Sequence, residues 1–380
     1  MVVSVLGLLD NSPTPNRDAD PALLDQLKVV TYFTTTRCNA RCETCFYWTS
    51  LNNADEKALS LDELETLSRS MPKFDHLLFS GGEPVMRKEI VDIACIFARN
   101  NNICSVDMPT NGLLPKRVQE VVEGYLDRLP PHVLVTVGLS LDGLEETHNR
   151  IRGVPGNWKK SMETLEVIAA VRRERMARYE RGEGPKPNLR IMVLTCINNQ
   201  NIDEVEELAR TITANPEVDG MMFEALRGNP KDPTLSAPTP EQFDRIVRFS
   251  MELNDRLYAR RFPEWRASWL SYIRNVYRFQ RDHLTKGKIP ATCQAGIGLA
   301  VIEPDGRVRM CELLDIIGDL RAEGLDWAKV WLSNKAAAYR RWIRESRCSC
   351  THCVNMGHSI DASTATKLRR KLDEFIFSKD

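Results

Sequence analysis

The chain has 380 residues, 52 Lys and Arg against 52 Asp and Glu, and is 42% apolar and 27% charged. A formal net charge of zero excludes a broad electrostatic pull toward nucleic acid, and no apolar run approaches the ~20 residues needed to span a bilayer. The length exceeds one ordinary domain, which predicts two domains or a large barrel with an appendage.

Val2, Val3, Ser4, Val5 and Leu6 open the chain without a basic n-region or a cleavage site, so no signal peptide is expected. The eleven cysteines are uneven, with tight groups at 38–45 and 348–353. In a chain without an export signal such groups favour metal sites over disulfides, and a cytoplasmic setting. Residues 10–28 carry Pro13 and Pro15 and predict a poorly ordered lead-in followed by a short helix.

From residue 29 onward extended and helical patterns alternate. Apolar runs near 29–36, 75–79, 103–109, 133–141, 189–197 and 218–226 read as strands. Helical patterns lie between and after them, from Ser60-Leu61-Asp62-Glu63 and over 88–100, 115–128, 157–179, 202–213 and 240–261. Six β-α units in series predict an α/β fold with a parallel sheet. No Gly-x-Gly-x-x-Gly follows the first strand, which favours a partial (β/α)6 TIM-like barrel over a doubly wound sheet. The expected division is a lead-in over 1–28, the barrel over 29–239, a helical linker over 240–290 and a small C-terminal α+β domain over 291–380. Arg260, Arg261, Trp265, Trp269, Tyr272 and Arg274 read as an amphipathic helix with a basic outer face, or as a docking face for an anionic or peptidic partner. Pro304-Asp305-Gly306 supplies the turn of a hairpin over 297–311.

Three thiols, Cys38, Cys42 and Cys45, stand directly after the first strand. Three thiolates cannot close a four-ligand site. A cubane iron–sulfur cluster held this way keeps one iron open, whereas structural zinc normally takes a fourth protein ligand. The second strand ends in Ser80-Gly81-Gly82-Glu83-Pro84, where adjacent glycines permit close backbone approach and Glu83 adds a carboxylate. The C-terminal ends of barrel strands are where sites are built. Taken alone, this stretch is a turn.

Together, the two motifs resemble the radical S-adenosylmethionine (SAM) superfamily over residues 29–230. The resemblance implies a [4Fe–4S] cluster on Cys38, Cys42 and Cys45, with SAM on its open iron. It further implies SAM contacts from Gly81, Gly82, Glu83 and Pro84, from Asn111 in Thr110-Asn111-Gly112, from Ser140 and Asp142 in Ser140-Leu141-Asp142-Gly143, and from Arg152. One departure is Thr44, where relatives carry an aromatic residue, so Phe46 or Tyr47 is expected to pack near the adenine.

Cys293, Gly306 with Cys311 five residues on, Cys350 and Cys353 resemble the SPASM/twitch extension, in its shorter twitch form. That implies one auxiliary [4Fe–4S] cluster on these four cysteines, with zinc as the competing metal and Cys348 as a surplus thiol, an alternative ligand or a hydrogen donor. The implied chemistry is reductive cleavage of SAM to a 5′-deoxyadenosyl radical. That radical takes hydrogen from unactivated carbon, with the auxiliary cluster accepting an electron and Glu312 as the base. A redox-neutral epimerase using Cys196, Cys104 or Cys348 and a peptide maturase are the alternatives, and a plain electron carrier is the weakest. An external one-electron donor of flavodoxin or ferredoxin type is implied. With fewer than 30 residues before the first strand, the expected substrate is a small molecule or sugar-like natural product rather than a peptide.

Overall fold

A computed structural model describes residues 19–53 and 57–379 of the chain. The expected lead-in falls largely outside these residues, and the described part of it forms a 3-10 turn at Pro21–Leu23. Six parallel strands follow, β1 (Val29–Thr35), β2 (His76–Gly81), β3 (Ser105–Thr110), β4 (Leu134–Ser140), β5 (Leu189–Ile197) and β6 (Gly220–Ala225). Each pairs in the sheet with its neighbour in sequence. The order never reverses, so every crossover turns the same way and the sheet winds as a partial barrel rather than doubly.

Three short strands, β7 (Leu299–Ile302), β8 (Arg307–Arg309) and β9 (Gly318–Asp319), extend the same sheet beyond β1. β7 is parallel to β1, and β8 returns antiparallel through the Pro304-Asp305-Gly306 turn with Gly306 at φ +92°. β1 is therefore paired on both edges and buried at all seven positions. Its unbroken apolar run follows from that placement.

The barrel helices are α1 (Leu61–Ser70), α2 (Ile90–Asn101), α3 (Pro115–Arg128), α4 (Glu145–Arg152), α5 (Asn157–Glu180) and α6 (Val205–Thr213). α1 begins on a capping box in which Ser60 and Glu63 satisfy each other's backbone N–H groups at 3.2 and 2.8 Å. α4 is a helix that periodicity did not suggest, because it is short and polar.

Two long helices, α7 (Pro240–Arg261) and α8 (Arg266–Lys286), cover the free edge of β6. An edge strand leaves backbone groups unpaired. Here side chains take them: Ala225 N–H donates to Gln280, Phe223 N–H to the Tyr277 hydroxyl, and Asn254 donates to the Met221 carbonyl. Trp269 is stacked between Tyr258 and Tyr272 at 5.0 and 5.7 Å, whereas Trp265 is exposed. The chain ends in α9 (Trp327–Trp331), α10 (Asn334–Glu345), α11 (Cys353–Ala362) and α12 (Thr364–Phe377). Thr351, just before α11, donates to the Ala225 carbonyl at 2.7 Å, which ties the last cysteine group to the edge of the barrel.

Candidate active site

The loop that follows β1 carries the first three thiols, and its shape is set by β2. Gly82 N–H donates to the Thr35 carbonyl and Glu83 N–H to the Arg37 carbonyl, both at 2.8 Å. A Cβ on Gly82 would stand 2.0 Å from the Arg37 oxygen, and Gly81 holds φ +105°. The glycines thus let the end of β2 press on the backbone just before Cys38. Asn52 holds the other side: its side-chain oxygen accepts from Cys38 N–H at 3.0 Å and its amide donates to the Cys38 carbonyl at 3.2 Å. Further on, Arg41 and Glu43 N–H groups donate to the Arg152 and Ile151 carbonyls at the end of α4.

Cys38, Cys42 and Cys45 line one cavity of about 250 Å³ with the 81–84 loop, Asn111, Ser140 and Arg152. It opens at the C-terminal ends of the strands. Glu83 is buried there, accepting from the Thr110 hydroxyl at 2.7 Å and from Asn111 N–H at 2.8 Å. Burial pushes its carboxyl up to about 7 despite these donors. Asn111 also donates to Asn39 at 2.8 Å and lies 4.0 Å from the Cys38 sulfur.

Arg152 closes the cavity beside Cys42, with Nη1 3.8 Å from its sulfur. Asp142 stands behind Arg152, its Oδ2 2.9 Å from Arg152 Nε and its Oδ1 accepting from Cys196 N–H at 2.9 Å. It is fully buried and is not part of the cavity wall. Buried His148 accepts from Asp142 N–H through Nδ1 at 3.2 Å, and its Nε2 meets Asn157. Burial lowers its pKa to about 4, so it is neutral at physiological pH.

Burial pushes the Cys38 and Cys45 thiols up to about 12 and about 11, and raises Cys42 against the opposing pull of Arg152. Three soft thiols from one loop, with the cavity's other thiol, Cys196, carried separately on β5, fit a cluster with one open iron. Binding iron must displace their protons.

A further part of the cavity wall is formed by Cys196, Glu224 and Arg227. Arg227, just past β6, stacks over Phe46 at 5.0 Å, pairs with Glu224, and places Nη2 2.7 Å from Glu312 Oε2. Phe46 and Tyr47 both line the cavity, and the Tyr47 hydroxyl donates to Glu303 at 2.6 Å. Glu312 follows Cys311, so this wall is shared with the second cysteine group. Burial would raise the Glu312 carboxyl, but neighbouring cationic groups hold it below its ordinary value. The groups that lower it are His352, whose Nε2 lies 3.7 Å away, and Arg227, while burial lowers the pKa of His352 itself.

In the second group Cys293 and Cys311 are buried, and Cys348 packs against the same core cluster. Burial raises all of these thiols, and they oppose one another's ionisation, Cys293 with Cys311 and Cys348, and Cys350 with Cys311 and Cys293. Asn355 donates to the Cys311 sulfur and His352 N–H to the Cys350 sulfur, each at 3.4 Å. Cys353, the first residue of α11, packs against Val276, Phe279 and Met356, and its N–H donates to Glu224 at 2.9 Å. Cys104 stands just before β3, donating to the Asp75 carbonyl at 3.1 Å, at the opposite end of the strands from the cavity. A larger open hollow of about 680 Å³, lined by Ile289, Arg344, Arg347 and Ser363 among others, holds no thiol or carboxylate.

Sequence reasoning missed Asn52, His148 and Glu224. Glu224 carried a readable signal, an acid in the otherwise apolar Met221-Met222-Phe223 strand, whereas Asn52 carried none.

A parallel partial barrel with a three-thiol cavity at its strand ends defines a class of cluster-bearing α/β enzymes. Residues 32–212, 181 of the 380, match the model of the radical SAM superfamily, so this part of the chain is a radical SAM domain. It is 31% identical over 188 residues to the Fe-coproporphyrin III synthase of Methanosarcina barkeri, covering 48% of this chain and 40% of that protein. The AdoMet-dependent heme synthase of the same organism is 22% identical over 355 residues, covering 87% of this chain and 90% of the relative. Among solved structures, SuiB of Streptococcus suis bound to S-adenosylmethionine shares the fold, with a TM-score of 0.52 and 16% identity over 81% of this chain and 66% of that one. The chain thus spans two fifths of the first relative and 66% of SuiB.

Proposed function

We propose that this radical SAM enzyme carries out a two-electron oxidation of a small molecule or natural product, using an auxiliary iron–sulfur site next to the SAM cavity. The observation that supports this most is the shared wall: Arg227 lines the cavity of Cys38, Cys42 and Cys45, and is ion-paired to the residue after Cys311. When bound, the two clusters would supply the electron that cleaves SAM and the sink for the substrate's second electron.

Cys38, Cys42 and Cys45 would hold the first cluster. Gly81, Gly82, Glu83, Pro84, Asn111, Ser140 and Arg152 would position SAM, with Asp142 fixing Arg152 from behind. For the auxiliary site we propose Cys293, Cys311, Cys348 and Cys350. Cys348 is close enough to Cys293 and Cys311 to oppose their ionisation, whereas the groups that act on the Cys353 thiol are Glu224, Arg227 and Glu312. On this reading Cys348 is a ligand rather than a hydrogen donor, and Cys353 is the surplus thiol.

The substrate would lose a hydrogen atom to the SAM-derived radical, then a proton to this wall and an electron to the auxiliary site. Glu312 is the proposed proton acceptor, with Glu224 sharing the same Arg227. At rest that ion pair makes Glu312 a weak base and holds Arg227 in place. A second reading, a redox-neutral epimerase, draws on one observation: the Cys196 thiol lines the same cavity.

Anaerobic reconstitution followed by reduction with dithionite in the presence of SAM tests the reading. The wild type should form 5′-deoxyadenosine and methionine, and Cys42→Ala should form neither. Deoxyadenosine at the level of the protein-free control would overturn it.

A further inference from the structure

Among the described residues, seven large apolar side chains are exposed by 43% or more. Four of them, Leu368, Leu372, Phe375 and Ile376, stand on α12. A fifth, Trp265, immediately precedes α8, whose first residue Arg266 donates to the Phe377 carbonyl at 3.1 Å. Trp265 therefore adjoins the end of α12 where Phe375 and Ile376 lie.

The spacing 368, 372, 375, 376 puts the four on one stripe of the helix. The stripe facing the protein is the polar one. Buried Asp373 accepts from Asn275 at 2.9 Å, the Ser271 hydroxyl donates to the Arg370 carbonyl at 2.5 Å, and buried Thr366 donates to the Ile360 carbonyl at 2.6 Å. A surface helix ordinarily turns its apolar stripe inward. Here directional polar contacts pin the helix the other way round.

The stripe is edged with cations. At about 100° per residue, Lys367 and Lys371 border one side and Arg369 the other. All three are exposed, as is Lys379; Arg274 on the adjoining α8 is also exposed but pairs with Asp373 at 3.3 Å. Partial burial and the crowding of Arg369 and Arg274 lower the pKa of Arg278 beside them. Asp373 is buried and Glu374 half-buried. Since the whole chain has a formal net charge of zero, this surplus is local.

We propose that α12 and Trp265 form a docking surface for an anionic lipid bilayer, with α12 lying in the headgroup plane. The patch is a convex ridge, which a bilayer accepts without a complementary groove. Trp and Phe beside Leu and Ile, edged by Lys and Arg, is the composition of an interfacial helix. A second copy of the chain would set one basic edge against another. No helix among the described residues is long and apolar enough to cross a membrane, so the attachment is peripheral.

Co-sedimentation of the full chain with vesicles tests this, comparing phosphatidylcholine alone with phosphatidylcholine containing phosphatidylglycerol. The bound fraction should be about tenfold higher on the anionic vesicles and fall as salt is added. Leu368→Gln/Phe375→Gln/Ile376→Gln should lose that binding about tenfold while keeping the wild-type circular dichroism and melting curve. Lys367→Glu/Lys371→Glu, which keeps the apolar stripe, should lose it chiefly at low salt. Equal binding to the two vesicles, or binding that survives both variants, would overturn the proposal. So would a wild-type dimer in light scattering that the apolar variant abolishes, which would assign the ridge to a second copy. Binding instead to an acidic protein, with none to vesicles, would assign it to a protein partner.

Discussion

Arg227 Nη2 lies 2.7 Å from Glu312 Oε2, joining the end of the last barrel strand to the residue after Cys311. Both side chains are buried, at 14% and 6% exposure, and Arg227 also pairs with Glu224. Removing one partner of a buried pair leaves an uncompensated charge, which costs about 3–5 kcal/mol. Arg227→Met should therefore destabilise the chain by about that much in urea unfolding, and adding Glu312→Gln should recover part of the loss. Strict additivity of the two substitutions would mean that the pair carries no coupling.

Gly82→Ala should damage the first cysteine site selectively. The new Cβ would meet the Arg37 carbonyl at 2.0 Å, and only movement of the backbone before Cys38 can relieve it. Iron after reconstitution is expected to drop from about eight to about four per chain, with the auxiliary cluster retained. Gly184→Ala, where a Cβ meets nothing within 4 Å, should keep the wild-type iron content.

Cys348→Ala and Cys353→Ala separate the two ligand sets for the auxiliary site. The proximity of the Cys348 thiol to Cys293 and Cys311 predicts a loss of about four irons in Cys348→Ala and none in Cys353→Ala. The reverse pattern would restore Cys353 to the set that the sequence resemblance implied.

Glu63 links α1 to the segment after β9. Arg321 donates to it at 2.6 and 2.9 Å and is the main reason its carboxyl falls from the ordinary 4.5 to about 2. A depressed carboxyl contributes stability above its unfolded pKa and loses it as pH falls through the folded one. Both partners are about one-third exposed, so the contribution is about 1 kcal/mol. Glu63→Gln should lower the melting temperature at neutral pH, with the difference shrinking as pH falls from 4.5 toward 2. A difference that is constant across that range would assign the effect to the capping box alone.

Much of the barrel was legible because its strands are apolar runs and its helices amphipathic. β5, α3 and α7 coincide with the segments read from sequence. α4 was not legible, being eight mostly polar residues with a single apolar one, Ile151, although it carries Arg152 at its end. The cysteine groups announced themselves by spacing, but spacing cannot say that Cys348 packs with Cys311 while Cys353 faces Glu224. Those are contacts between segments more than 100 residues apart in the case of Cys353 and Glu224. Asp142 illustrates the same limit: the motif named it, and only the fold shows it supporting Arg152 from behind. The β6 edge, closed by Tyr277 and Gln280 rather than by another strand, had no local signature at all.

Two iron–sulfur sites on either side of the Arg227–Glu312 pair, with SAM at only one of them, should be resolved by electron paramagnetic resonance of the reduced, reconstituted protein before and after SAM addition. Two overlapping cluster signals and about eight irons are expected, with SAM altering one signal and leaving the other unchanged. In Cys38→Ala/Cys42→Ala/Cys45→Ala the SAM-sensitive signal should vanish and the other persist. A single cluster, or two signals that both ignore SAM, would contradict it.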